Sequence, residues 1–296
     1  MEPENVQGKK VTVIGGGRCI FCGWDGGPKG LNDEHIVPYS LGGNAELKEA
    51  SCTDCEKVTS YVDGYLANAI FKDLRVHSGL QSRSGHPELL AAHVQSEQGS
   101  RVVDLAVADH PFFFHMPVWA APGLIRGLQP SSDFGPAKAQ VYWHIPETVW
   151  DYIKPDSDGA IRIIDNTPMP NLQTFARGIA KIAFCNAVMK MGLDGFRPLS
   201  IPSMIIGRYP HAPFYVGSSL DLPSPPHKEG VLHAVEITEI SRRRLNIIVA
   251  NVRLFAHHAH NENEGMPIYQ VVVGVTGKPK AFPRRRGLLL SRTIAF

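Results

Sequence analysis

Four of the five cysteines in this 296-residue chain fall within residues 19–55, as Cys19-x-x-Cys22 and Cys52-x-x-Cys55. Two residues between thiolates let both sulfurs turn toward one ion. Two such knuckles complete a closed tetrahedral site of the kind that holds structural Zn²⁺. Five cysteines are too few for a disulfide scaffold, so metal binding is the expected use. The fifth, Cys185, sits among apolar residues at helical spacing and reads as core. A Gly-rich module this small buries little apolar surface, so its metal is expected to supply much of its folding energy.

The stretch VTVIGGGRCIFCG, residues 11–23, carries a competing signal. Its β-branched run into Gly15-Gly16-Gly17 looks like the strand and turn of a dinucleotide-binding unit. That fingerprint needs GxGxxG followed at once by a helix, whose N-terminus meets the pyrophosphate. Here the third glycine position falls on Ile20, and FCGWDGGPKG at 21–30 contains four glycines and a proline. No helix is expected there, and the glycines are read as shaping the turn into the first knuckle.

Between the knuckles runs Asn32-Asp33-Glu34-His35-Ile36-Val37-Pro38-Tyr39-Ser40-Leu41-Gly42-Gly43-Asn44. A CxxC pair, an acid before a His, an apolar-x-Pro, Gly-Gly, and a second CxxC opening a helix follow in order. Over residues 19 to about 76 this pattern resembles the zinc-containing HNH endonucleases. The resemblance implies a ββα-metal fold, in which two strands and a helix present one divalent ion, Mg²⁺ or another, to the scissile phosphate. It implies His35 as the general base, a task that suits an imidazole at neutral pH. Glu34 and Glu56 would be ligands of the catalytic ion, and Cys19, Cys22, Cys52 and Cys55 would hold structural zinc. Two positions depart from the family pattern. Glu56 stands where Asn or His is more usual, and Leu47 stands where the central Asn is usual. Asn44 is the nearest residue for tying down the loop.

The implied reaction is phosphodiester hydrolysis in DNA, most simply double-stranded, leaving a 5′-phosphate. One such site contacts one strand, so a monomer would nick and a homodimer would cut both strands. A part in bacterial or phage defence follows from the resemblance alone. The alternative is a zinc-stabilised nucleic-acid-binding or protein-interaction module with no hydrolytic activity.

From Cys55 onward, Val58, Tyr61/Val62, Tyr65 and Ala69 form a helical stripe. Residues 77–87, HSGLQSRSGHP, read as a linker, dividing the chain into a nuclease-like module at 1–76 and a larger domain at 88–296. In that second part, 101–108 and 139–145 predict strands, and 171–191 predicts a helix ended by Gly192. Residues 231–240, 245–256 and 267–275 predict an antiparallel meander. Strands and helices do not alternate regularly, so the expected class is α+β. Trp119, Trp143 and Trp150 are expected in the core, and residues 77–296 contain no GxSxG, GxxxxGK or HExxH.

Residues 1–70 carry six Lys/Arg against ten Asp/Glu, whereas 71–296 carry twenty-four against eighteen. Contacts to a phosphate backbone are therefore expected from the second part, which would position DNA. Arg242-Arg243-Arg244 and the basic stretch 278–296 are the candidates. His257-His258-x-His260 reads as an exposed turn. The start, MEPENVQGKK, has no apolar leader core and the chain has no eighteen-residue apolar run, so a cytoplasmic protein is expected.

Overall fold

The computed structural model describes residues 17–80, 85–97, 99–153, 161–219, 232–242, 245–255 and 266–277, together with the backbone of strand β1 (Val11–Ile14). Next come β2 (Asn32–His35) and β3 (Ala45–Ser51), forming a sheet of order β1-β3-β2. β1 runs parallel to β3, and β2 pairs with β3 antiparallel. Helix α1 (Thr53–Tyr65) follows β3 directly and passes through a π turn, Leu66–Ile70, into α2 (Lys72–His77). Cys52 caps α1 in extended backbone, and Asp54 and Glu56 in the first turn favour the positive end of the helix. The ββα order implied by the resemblance is present in β2, β3 and α1. Between Gly17 and β2 there is no α-helix, only the 3-10 turn Gly27–Lys29, as expected once the dinucleotide reading is set aside.

The middle of the chain builds two small antiparallel sheets. One has the order β5-β4-β8, from β4 (Leu89–Ser96), β5 (Gly99–Ala106) and the two-residue β8 (Arg162–Ile163). The other pairs β6 (Phe112–Val118) with β7 (Lys138–His144), and the short α3 (Val149–Tyr152) lies between β7 and β8. The long α4 (Leu172–Met191) follows, then α5 (Ile201–Ile205), α6 (Ala212–Tyr215) and β9 (Val216–Ser219). β10 (Ala234–Arg242), β11 (Leu245–Arg253) and β12 (Ile268–Thr276) form the meander, and β9 adds to its far edge in the order β10-β11-β12-β9. The class is α+β.

α4 is the centre of the molecule. Asn171 caps it by accepting from Thr174 N at 2.9 Å, and Gly192 ends it with φ 72° and an N–H donated to Val188 O. Its sequence predicts one apolar stripe, yet from Thr174 to Val188 every residue except Arg177 is buried. A helix covered on all sides is one packed by neighbours all round. α1 lies against it on one side and β11 and β12 on another. Gly178 permits the close approach of the π turn, since a Cβ there would lie 2.6 Å from Leu66 Cδ1.

The core does not divide at residues 77–87. Phe21, Leu41, Leu47 and Leu66 belong to the same apolar cluster as Phe184, Val249 and Val271, and the Phe21 and Phe184 rings lie 6.1 Å apart. The N-terminal segment therefore draws stability from packing on α4 as well as from any metal. A separate small cluster of Ala92, Val94, Leu105, Val149 and Ile153 lies under β4 and β5.

Three side-chain expectations are corrected. Tyr61, placed in the α1 stripe, is 63% exposed. Trp119 is buried, its indole N–H donating to Val216 O at 2.9 Å, but Trp143 and Trp150 are about half exposed. β7 has a neighbour on one side only, and its alternation turns Val141 and Trp143 outward. The single-turn α3 buries Val149 and leaves Trp150 out. Arg243, Arg244, His257, His258, His260 and residues 278–296 lie outside the described residues. Among the described residues, no helix is long and apolar enough to cross a membrane.

Candidate metal centre and hydrolytic site

The first knuckle is a backbone turn pinned to the sheet. Cys19 N donates to Trp24 O at 2.6 Å, Gly23 N to Cys19 O at 2.8 Å, and Ile20 N to Ala50 O of β3 at 2.8 Å. Gly17 and Gly23 adopt φ of 69° and 79°, the left-handed region that favours glycine. The second knuckle is the start of α1, where Glu56 N donates to Cys52 O at 2.9 Å. The ligand atoms of Cys19, Cys22, Cys52 and Cys55 all lie within 4.8 Å of one another. Cys22 Sγ and Cys52 Sγ are 3.7 Å apart. A tetrahedron with metal–sulfur bonds of about 2.3 Å has an edge of about 3.8 Å, so the four sulfurs fit Zn²⁺. Among the described residues no other group of three or more His, Cys, Asp or Glu meets that test.

The sulfur cluster fastens the knuckle before β2 to the first turn of α1, and Ile20 N, donating to Ala50 O, ties that knuckle to β3; the remaining predicted residues lie on β2, on α1 and in the loop between β2 and β3. Glu34 is buried and points at α1, accepting from Thr59 Oγ1 at 3.0 Å. Thr59 Oγ1 also lies 3.2 Å from Glu56 O, one turn back on the helix. Glu56 is half-buried, and its Oε2 accepts from Asn32 Nδ2 at 2.5 Å. The next residue of β2, His35, is half-buried, and its ring centroid is 6.0 Å from that of the exposed Tyr39. Directly across β3 from His35 is Glu46, buried and ion-paired with Lys48 Nζ at 2.6 Å. Lys48 also reaches Asp33.

Leu47 is fully buried and faces Glu34 across the sheet. Asn44 is exposed, just before β3. The Gly42-Gly43 turn is required by close packing, since a Cβ on Gly43 would fall 2.0 Å from Val37 O.

Lys181, which the sequence analysis did not single out, enters from α4. Its ammonium is fully buried and lies 3.0 Å from Glu34 Oε1 and 2.9 Å from Asp63 Oδ2, and it also donates to His35 O. Burial opposes the charge, but Asp63 and Glu34 outweigh it and hold the ammonium above the usual lysine value. Asp63 is pushed up to about 6 by burial, with Lys181 pulling it down and Glu34 pushing it up. The one available signal was a lone lysine in the apolar run GIAKIAF. Thr59, Asp63 and Glu46 had no signal beyond their places on α1 and β3.

Glu34 and Glu56 offer hard carboxylate oxygens, the donor type that suits Mg²⁺ and similar ions. A carboxylate has about four lone-pair sites, so the two bonds at Glu34 leave it capacity to coordinate.

Residues 19–70 match the family model described as HNH endonuclease. No curated protein and no solved structure matches the chain.

Proposed function

We propose that this protein is a metal-dependent HNH-type endonuclease that hydrolyses phosphodiester bonds in DNA. One observation carries the reading: the segment that matches the HNH endonuclease family is the segment whose four sulfurs converge. The same segment bears Glu34 and His35 on β2 and Glu56 in the first turn of α1, and Thr59 of α1 donates to Glu34.

In this reading Cys19, Cys22, Cys52 and Cys55 hold a structural zinc ion and take no part in the chemistry. His35 accepts the proton of the attacking water, a role suited to a side chain whose ordinary pKa is about 6.5. Glu34 and Glu56 would hold a divalent ion, which would supply Lewis acidity at the scissile phosphate. Tyr39 is exposed beside the imidazole. Asn44, just before β3, ties down the loop that follows His35. The part of the chain from residue 88 onward positions double-stranded DNA. A single site meets one strand, so a monomer nicks and paired copies are needed to cut both. Four thiolates kept as metal ligands suit the reducing cytoplasm, and a defence role suits a DNA-cutting activity there.

The test is supercoiled plasmid incubated with purified protein and Mg²⁺ or Mn²⁺. Conversion to relaxed circles is expected. Plasmid left intact across divalent ions, yet shifted on a gel, would replace this reading with a binding module.

A further inference from the structure

The hydrolytic site proposed above has an anchor from outside residues 19–70. Lys181 sits mid-way along α4, with 0% side-chain exposure. Its ammonium has three N–H donors. It donates to Asp63 Oδ2 and to the backbone oxygen of His35, and Glu34 Oε1 lies 3.0 Å away as an ion pair. A buried charge persists only where such partners are complete.

We infer that Lys181 is a positioning residue of the hydrolytic site, fixing both Glu34 and His35 to the central helix. The inference rests on the nuclease reading. β2 is only four residues long and lies at the edge of its sheet, so ladder hydrogen bonds hold it from one side. Its register with β3 also shifts between Asn32 and Glu34, which weakens that hold. Lys181 grips two consecutive residues of this strand, Glu34 by its carboxylate and His35 by its carbonyl. Asp63 ties the same ammonium to α1, whose first turn bears Glu56. The two elements that carry the site, β2 and α1, thus meet at one nitrogen. That nitrogen is held in place by α4, which is buried around it. A displacement of about 1 Å at a reacting group costs on the order of a hundredfold in rate.

The variant K181M/D63N removes one positive and one negative charge and so keeps the net charge of the cluster. Zinc content, cooperative melting and plasmid affinity are expected to match wild type. The turnover number for nicking is expected to fall about a hundredfold at unchanged KM. Turnover within about threefold of wild type would overturn the inference. Should the double variant not melt cooperatively, K181R decides. Its guanidinium keeps the charge but not the geometry of the three donors. It is expected to lower kcat about tenfold without raising KM, and a wild-type kcat would overturn the inference.

If wild type itself leaves plasmid intact, the nuclease reading falls separately, and amide hydrogen exchange then judges the anchor. Faster exchange at residues 33–36 in K181R supports it, and unchanged exchange overturns it.

Discussion

Leu47, with no exposed surface, faces Glu34 directly across the antiparallel pair of β2 and β3. The HNH resemblance places an asparagine at this position, and the structure gives the physical reason for its absence. The position is core, with Glu34 already bound to Thr59 and Lys181. Leu47→Asn is therefore expected to destabilise the protein by at least about 2 kcal/mol, through lost packing and a buried amide. Chemical denaturation of the variant checks this. A change below about 0.5 kcal/mol would show that the site tolerates a polar side chain.

The sulfur cluster gives a metal-removal prediction. Metal analysis should find about one zinc per chain. Because Phe21, Leu47 and Leu66 share the core of α4, Cys52→Ser or chelation should act locally. Amide exchange should quicken around residues 19–24 and 52–58 while α4 and the β10–β12 meander stay protected. Global unfolding on zinc loss would contradict the shared core.

Gly178 tests the same core from the other side. A Cβ at this position would lie 2.6 Å from Leu66 Cδ1 and 2.9 Å from Leu66 Cγ, and Leu66 is fully buried. Gly178→Ala gains helix propensity but overpacks the junction of α4 with the π turn. A net loss of about 1–3 kcal/mol is expected. Stabilisation would mean that Leu66 has room to move.

His77 gives a pH dependence. Its ring packs on Phe112 at 4.3 Å, and its Nε2 is 3.3 Å from His110 Nδ1. Burial, then His110 and His144, lower its pKa from 6.5 to about 4. Between those values the unfolded chain holds the extra proton. Stability from this group is complete above the upper value and is lost as pH falls through the window. Melting temperature should drop less in His77→Phe than in wild type between about pH 7 and about pH 4.5. Equal drops would remove His77 as the cause.

What the sequence made legible was whatever repeats at a fixed interval or chelates at a fixed spacing. The two CxxC pairs, the α4 period and its Gly192 end, and the three β-rich runs all signal locally. Lys181 did not, because its meaning depends on Glu34 and Asp63, far away in the chain. The exposure of Trp143 was hidden for a similar reason: an aromatic in a strand reads as core until the strand is known to lie at an edge. The unity of the core was also hidden, because a polar stretch such as 77–87 says nothing of whether the apolar residues on either side of it pack together. Of the site itself, Glu34, His35 and Glu56 could be named from the resemblance. That Glu34 faces α1 and accepts from Thr59 is known only from the fold.

The most direct measurement is plasmid nicking by His35→Ala beside wild type, with zinc content and melting temperature recorded for both. The account predicts relaxed circles from wild type with Mg²⁺ or Mn²⁺. It predicts a loss of at least about a hundredfold in the variant, at unchanged zinc and stability. A His35→Ala protein that nicks at the wild-type rate would contradict it.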